Sequence, residues 1–275
     1  METVLRAVFS VSESYARRLK RRPGSVLLNG KPVYLVERVN IGDVVAFDPS
    51  DPTRLPIAAI PFPLSIVYED EWLTVLNKPN GIAVHPARDP NEPTVENALM
   101  SHYVGTENPH PVSRLDKGTT GLMAVAKSGF VHARMKDVQA DGSYRKTYLA
   151  ILNGIPNSAH GFVDAPIGAL PGSAYQRTVR DDGAPSKSEY TVLHTSGNLA
   201  LVRLVPHTGR THQLRVHMAY LGTPLFGDWL YGTREAAVDR PLLHAETLSF
   251  PHPITGEPMQ FFAPPPEDFQ SFFPR

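Results

Sequence analysis

The sequence contains no cysteine and no apolar run long enough to cross a lipid bilayer. The absence of cysteine excludes disulfide bonds, thiolate zinc sites, iron–sulfur clusters and a cysteine nucleophile. The N-terminal segment lacks the apolar stretch and small residues of a signal peptide. We therefore expect a soluble protein of the cytoplasm.

The chain also lacks a net charge, because 27 Lys and Arg balance 27 Asp and Glu. This balance conceals two local excesses of positive charge. Residues 11–40 hold seven cations and two carboxylates, and residues 111–150 hold seven cations and three carboxylates. Such patches are typical of a surface that binds a polyanion, although a solvated surface is the alternative interpretation.

The domain organisation follows from length and proline content. A chain of 275 residues, 41% hydrophobic, corresponds to one large domain or to a large domain with a small appendage. Residues 48–63 contain five prolines and no periodicity, which favours a semi-rigid linker. We predict a small basic module over residues 1–47, a linker over 48–63 and a larger domain over 64–275.

The N-terminal module combines a predicted basic helix over residues 12–20 with a hairpin at Asn29-Gly30 and a further strand in VNIGDVVAF. This pattern resembles the alpha-L RNA-binding module of ribosomal proteins and RNA-modifying enzymes. A generic small α/β appendage is the alternative.

The larger domain alternates strand-like runs with few helices. SIVYEDEWLTVLNKP, RKTYLAIL, KSEYTVLHT and NLALVRLVP are rich in β-branched and aromatic residues, and residues 96–103 and 129–138 favour helices. We predict an α+β fold with a mixed or antiparallel sheet.

Three segments carry residues suited to chemistry. NKPNGIAVHP, residues 77–86, predicts a turn and then an alternating strand. In residues 111–128, Asp116 lies between Arg114 and Lys117 and precedes a Thr-Thr-Gly turn and an apolar strand. Flanking cations would keep this carboxylate ionised as a nucleophile or base, whereas a structural cap is an equally good interpretation.

The third segment, residues 205–228, contains Arg215 and the histidines 207, 212 and 217. The spacing of five does not align the imidazoles on a helix, so a three-histidine zinc site would need loop geometry. Either a strand or a helix fits this segment. In both cases Arg215 lies in an apolar patch and needs a carboxylate partner, for which Asp116 is the obvious candidate.

Together these segments resemble the RluA-type family of pseudouridine synthases. NKPNGIAVHP, SRLDKGTTGLMAVAKS, RKTYLAIL and PHTGRTHQLRVHMAYLGTPLFGD match four family motifs in order and spacing. The match covers about 70% of the chain, and the N-terminal module is a frequent companion of this catalytic domain.

The resemblance implies roles for individual residues. Asp116 would be the catalytic aspartate, Tyr148 would stack on the target base and assist proton transfer at C5, and Arg215 would orient the aspartate. Arg114 would fill the gap left by a flipped base. Ser113 stands where the family usually has histidine, which bears on the flipping contact and on target choice.

The implied activity is isomerisation of uridine to pseudouridine in rRNA or tRNA by a monomer, with base flipping and with no metal or cofactor. A non-catalytic RNA-binding protein and a metal-dependent hydrolase that uses the three histidines are the competing hypotheses. Besides Arg114, the predicted RNA contacts are Arg17, Arg18, Arg21, Arg22, Lys146, Arg210 and His212.

Overall fold

The computed structural model describes residues 1–9, 11, 13–48, 57–85, 92–103 and 108–273. Its helices include the two predicted in the larger domain, over residues 96–103 and 129–138. None of the helices within these ranges is long and apolar enough to span a bilayer. The helices are α1 (Glu2–Ala7), α2 (Glu13–Lys20), α3 (Val95–His102), α4 (Gly129–Ala140), α5 (Gln213–Tyr220) and α6 (Glu267–Gln270).

The N-terminal module contains α1, α2 and a small antiparallel sheet in the order β2-β1-β3, with β1 at Val26–Leu28, β2 at Lys31–Pro32 and β3 at Val45–Phe47. Asn29 and Gly30 join β1 to β2 with φ of 51° and 76°. Positive φ at both turn residues is what Asn-Gly favours, so the predicted hairpin is confirmed. The helix predicted over residues 12–20 is observed as α2, Glu13–Lys20, and Ser12 lies outside the described residues. Helix α1 was not predicted.

The larger domain is built on one large sheet. Its strands are β4 (Ser65–Glu69), β5 (Leu73–Lys78), β6 (His110–Pro111), β7 (Thr120–Ala126), β8 (Arg145–Asn153), β9 (His160–Asp164), β12 (Lys187–Ser196), β13 (Leu199–Pro206), β14 (Leu243–Pro251) and β15 (Pro258–Phe262). They lie in the order β4-β5-β7-β14-β8-β13-β12-β9, with β6 beside β7 and β15 beside β14. Strands β7 and β14 run parallel and the other described pairs are antiparallel, which confirms an α+β fold with a mixed sheet. A separate hairpin pairs β10 (Ile167–Ala169) with β11 (Arg177–Val179).

Successive side chains on the central strands point to opposite faces of the sheet and pack into separate hydrophobic cores. On β8, Tyr148 and Ala150 join one core with residues of α3 and α5. Leu149 and Ile151 point the other way, toward Phe269 of α6. The face that carries Tyr148 also carries the site described below.

The N-terminal module packs on the larger domain through aromatic contacts. The ring of Phe47 lies 5.5 Å from Phe9 and 5.2 Å from Phe130 of α4, edge to face in both cases. Arg134 Nη1 also donates to the Phe9 carbonyl at 3.3 Å. The buried residues of the module therefore belong to the same hydrophobic core as those beneath α4.

Of the proline-rich segment, residues 48 and 57–63 are described, and residues 57–63 have no regular secondary structure. It is hydrogen-bonded to the larger domain: Ile57 N–H donates to Asn108 Oδ1 at 2.9 Å, and the Asn97 side chain donates to the Ala58 carbonyl at 2.8 Å. Residues 49–56 lie outside the described ranges. The domain boundaries remain a proposal.

The prediction of a strand after the turn at residues 79–81 is wrong. Residues 82–85 form no ladder beyond one bridge, between Ala83 and Thr94. Ile82 and Val84 are buried in the core, while the Ile82 carbonyl accepts a hydrogen bond from Lys78 Nζ at 2.9 Å. The backbone curves around the Lys78 amine. The Ile82 carbonyl therefore accepts from this amine instead of from a neighbouring strand. Pro86 lies outside the described residues.

A close backbone approach at Gly121 gives a test of the fold. Gly121 has φ of +110°, and a Cβ there would lie 2.3 Å from the Ala245 carbonyl oxygen of the parallel strand β14. We expect Gly121→Ala to lower the free energy of unfolding by about 3 kcal/mol or more, because backbone cannot move aside cheaply. Gly142→Ala is the matched control, since Gly142 has φ of +79° and open space around it. It should cost about 1 kcal/mol in the same urea titration. Equal losses would contradict the steric argument.

Candidate active site

Asp116 lies in the turn between β6 and β7, where the Thr119 N–H donates to its backbone carbonyl at 3.0 Å. Its side chain is 30% exposed. The cations beside it in sequence do not hold it, contrary to expectation: Lys117 pairs with Glu92, and Arg114 Nη2 donates to Thr211 Oγ1 at 3.2 Å. The cation that contacts Asp116 comes from α5.

Arg215 lies in the first turns of α5, so the helical alternative for this segment is correct and the strand alternative is wrong. Its Nη1 donates to Asp116 Oδ2 at 3.2 Å, which confirms the predicted contact. The residue before the helix, His212, has φ of 57° and ψ of 18°. Such a left-handed backbone in a non-glycine residue is typical of a functional site.

A second carboxylate, which was not predicted, binds the same guanidinium. Asp228 is fully buried and accepts from Arg215 Nε at 2.7 Å and from Nη2 at 2.8 Å. The Tyr231 ring lies 5.1 Å from the guanidinium carbon and its hydroxyl bonds to His212 Nδ1 at 2.8 Å. A buried guanidinium has five N–H donors, which one carboxylate cannot satisfy. This requirement could have predicted a second acceptor from the sequence.

Lys78 anchors the turn that carries Asp116, and sequence reasoning also missed it. The residue is fully buried, and its Nζ donates to the carbonyls of Pro79, Ile82 and Lys117 at 2.9, 2.9 and 3.1 Å. Burial lowers the pKa of Lys78 to about 7, against the opposing charge of Asp116. Only the protonated amine has three N–H groups to donate, so this contact set requires the charge.

Tyr148 and Lys146 project from the same face of β8, two residues apart, and both are more than nine-tenths buried. Burial raises the pKa of Tyr148. Its phenol therefore remains protonated at neutral pH. Burial also lowers the pKa of Lys146 to about 7. Its Nζ donates to Ser113 Oγ at 2.9 Å, so Lys146 is not the exposed phosphate contact that the basic segment suggested.

Asp116, Arg215, Tyr148 and Lys146 line one cavity of about 630 Å³ on the sheet face that carries Tyr148. Among the described residues that line it, Asp116 is the one carboxylate, whereas five are cations: Arg114, Lys136, Lys146, Arg210 and Arg215. The cavity size suits one nucleotide-sized ligand, and its charge favours an anion although the chain as a whole is neutral.

The other predicted RNA contacts fall in two places. Arg114, Arg210 and His212 line the cavity. The four arginines of the N-terminal module belong to α2 and the turn after it, where Arg17 pairs with Glu13 and Arg22 pairs with Asp48. The structure thus gathers three predicted contacts at the carboxylate and leaves Arg17, Arg18, Arg21 and Arg22 on a separate element.

The three histidines of residues 205–228 have separate partners. His207 Nε2 bonds to Glu189 at 3.2 Å, His212 to Tyr231, and His217 to Ser188 Oγ at 2.9 Å and the Ala165 carbonyl at 3.0 Å. Across the described ranges, no group of three or more histidine or carboxylate side chains could hold a metal ion. The zinc-site hypothesis is therefore wrong for these residues.

A basic, nucleotide-sized cavity around a single arginine-held carboxylate defines an enzyme site for an anionic substrate. Comparison with known proteins identifies the class. Residues 73–220 match the family model described as RNA pseudouridylate synthase.

Relatives match over most of the chain. An uncharacterized RNA pseudouridine synthase of Bacillus subtilis (strain 168) is 38% identical over 263 residues, covering 94% of this chain and 93% of its own. Ribosomal large subunit pseudouridine synthase D of Haemophilus influenzae is 37% identical over 270 residues, covering 92% and 79%. The solved structure of human RNA Pseudouridylate Synthase Domain Containing 1 matches with a TM-score of 0.62 and 28% identity, covering 74% of this chain and 83% of that one.

The chain therefore belongs to the RNA pseudouridylate synthase family, in its RluA-type branch, and is an isomerase that converts uridine to pseudouridine in RNA. This confirms the family and the activity that the four motifs implied. The roles of individual residues remain proposals.

The Arg215–Asp228 pair gives a second test. Asp228→Asn removes one charge of a buried pair and leaves the guanidinium undercompensated, so it should lower the free energy of unfolding by about 3 kcal/mol or more. Asp182→Asn removes a carboxylate from the exposed pair with Arg180 and should cost less than about 1 kcal/mol. Both values come from denaturant unfolding at pH 7. A loss at Asp228 no larger than at Asp182 would contradict the role assigned to this pair.

Proposed function

We propose that the protein isomerises uridines in ribosomal RNA of the large subunit, with Asp116 acting at C1′ of the target nucleotide. The observation that carries this proposal is the position of Asp116, which is the one carboxylate among the described residues that line a cationic cavity. Both Arg215 Nη1 and His212 Nε2 approach Oδ2, at 3.2 and 3.8 Å. Among the described residues, Oδ1 accepts no hydrogen bond. An oriented carboxylate with one uncommitted oxygen is suited to attack on the sugar or to assist cleavage of the glycosidic bond.

The position of the carboxylate inside the cavity favours base flipping. A uridine stacked in an RNA helix cannot reach a residue inside a cavity, so the nucleotide must leave its stack at a cost of a few kcal/mol. In our proposal Tyr148 forms the platform for the flipped uracil, and the exposed Arg114 at the cavity edge fills the gap in the helix. The raised pKa of Tyr148 favours stacking and hydrogen-bond donation over a role as base.

The substrate class follows from the relatives. Several that are 37–41% identical are named ribosomal large subunit pseudouridine synthase D. We extend that substrate to this chain, acting as a monomer in the cytoplasm. Transfer RNA and RNA binding without catalysis are the alternatives that the experiment distinguishes.

The experiment is pseudouridine mapping of total RNA from cells with and without the gene. We expect loss of one or more sites in large-subunit rRNA, restored by the wild-type gene and by Asp137→Asn, which changes an exposed carboxylate on α4. Asp116→Asn should not restore them, although the purified variant should bind rRNA within about threefold of wild type, because Asp116 acts on the reacting nucleotide and not on phosphates.

Each other outcome contradicts part of the proposal. Sites lost only from tRNA would replace the substrate, and restoration by Asp116→Asn would refute the role of Asp116. An unchanged map with RNA still bound would favour the non-catalytic binder.

The basic helix gives a further test. Replacing Arg17, Arg18, Arg21 and Arg22 with glutamine should weaken RNA binding and reduce the slope of log K against log salt, because each cation that neutralises a phosphate contributes to that slope. The matched variant, Glu13→Gln, removes the acid that pairs with Arg17 and should steepen the slope. Filter binding across a salt series measures both. Unchanged slopes would mean that the N-terminal module does not contact RNA.

A further inference from the structure

The amine of Lys146 is buried in the wall of the active-site cavity without a neutralising partner. Lys146 is 7% exposed and lines the cavity together with Tyr148. Within the described part of the chain, its Nζ donates a hydrogen bond to Ser113 Oγ and no carboxylate pairs with it. Burial without a partner disfavours the charged form of the amine, and an anion that enters the cavity would favour it, so this position indicates a site that receives its anion from a ligand.

The groups around Lys146 position the amine without neutralising it. Ser113 Oγ also hydrogen-bonds to the Tyr144 hydroxyl at 3.1 Å. Burial raises the pKa of Tyr144 to about 12, so both hydroxyls are neutral. An ammonium has three N–H donors, and Ser113 takes one of them. Two donors remain for a ligand. Ser113, which stands where the family pattern has histidine, is thus the hydrogen-bond acceptor that positions this lysine.

The reaction creates an anion next to this amine. Conversion of uridine to pseudouridine breaks the C1′–N1 bond and forms a C1′–C5 bond. When C1′–N1 breaks, its electron pair stays on the uracil ring and the charge spreads over N1, O2 and O4. The ring then turns, C5 bonds to C1′, C5 loses its proton and N1 gains one. The other central cation, Arg215, is already held by two carboxylates.

We propose that Lys146 is a catalytic residue, whose ammonium donates a hydrogen bond to the uracil ring stacked on Tyr148 and stabilises the negative charge that the ring carries after C1′–N1 cleavage. This inference depends on the proposed function, in which Asp116 acts on the sugar and Tyr148 binds the base. A donor fixed in a water-poor site and directed at developing charge typically accelerates a reaction by about 100-fold or more.

The experiment compares two RNA substrates that differ in the leaving base. Single-turnover rates are measured for wild type and Lys146→Met on RNA with uridine and on RNA with 5-fluorouridine at the target site. Fluorine withdraws electrons and stabilises the detached ring, so this substrate depends less on an external cation. Consumption of the target nucleoside is followed by mass spectrometry of digested RNA.

With uridine, we expect Lys146→Met to slow turnover by about 100-fold while the RNA dissociation constant changes by less than about threefold. With 5-fluorouridine the slowing should be at least about tenfold smaller. Lys146→Arg should recover part of the uridine rate, because it restores the positive charge. Equal slowing on both substrates, or an arginine variant no faster than methionine, would overturn the proposal in favour of a structural role.

Control variants separate this role from folding and from the role of Asp116. Lys127→Met changes a lysine outside the cavity, paired with Glu69, and should keep the wild-type rate. If Lys146→Met does not fold, Lys146→Gln and Lys146→Arg provide the same two-substrate comparison. Asp116→Asn is assayed alongside: full activity there would refute the proposed function, whereas an inactive Asp116→Asn with equal slowing at Lys146 would refute only this inference.

Discussion

The guanidinium of Arg215, buried between two carboxylates, is the interaction on which the site depends. It joins Asp116 in the turn before β7 to Asp228 beyond α5, across 99 and 13 residues of chain. A buried charge is tolerated only when its partners are in place, so the pair fixes α5 against the sheet and orients Asp116 toward the cavity. Removing either acid would change both the stability of the fold and the position of the other acid.

Two further constraints hold the turn that carries Asp116. Lys78 gathers three backbone carbonyls around its ammonium, one of them from Lys117, beside Asp116. Gly121 allows β7 to approach the backbone of β14 more closely than any side chain would permit. The carboxylate is therefore presented by a turn fixed at both ends, which suits a group that must meet a reacting atom within a fraction of an ångström.

The positive charge of the cavity arises from where the fold places charged side chains, because the chain as a whole has no net charge. Within the described ranges, folding places five cations and one carboxylate around the cavity. Three of the cations, Arg114, Lys136 and Arg210, are exposed enough to meet phosphates, while Lys146 and Arg215 are buried. This division separates the attraction of RNA, which needs accessible charge, from action on one nucleotide, which needs charge held away from water.

The sequence by itself determined the features that depend on neighbouring residues. Asn29-Gly30 specified its hairpin because both residues accept positive φ, and runs rich in β-branched and aromatic residues specified β4, β5, β8, β12 and β13. The four ordered motifs specified the family. The pairing of Asp116 with Arg215 was also predictable, because a semi-buried arginine requires a carboxylate and the motifs offered one.

Only the tertiary structure decided what depends on distant partners. Periodicity did not distinguish a strand from a helix around Arg215, and adjacency wrongly suggested Arg114 and Lys117 as the cations that hold Asp116. The basic segment suggested that Lys146 is a surface charge, but folding buries it. Folding also adds Asp228 as a partner of Arg215 and Lys78 as a support of the turn that carries Asp116. Charge and hydrogen-bond requirements are visible in a sequence, but the atoms that satisfy them are chosen by packing across the sheet, which no local pattern encodes.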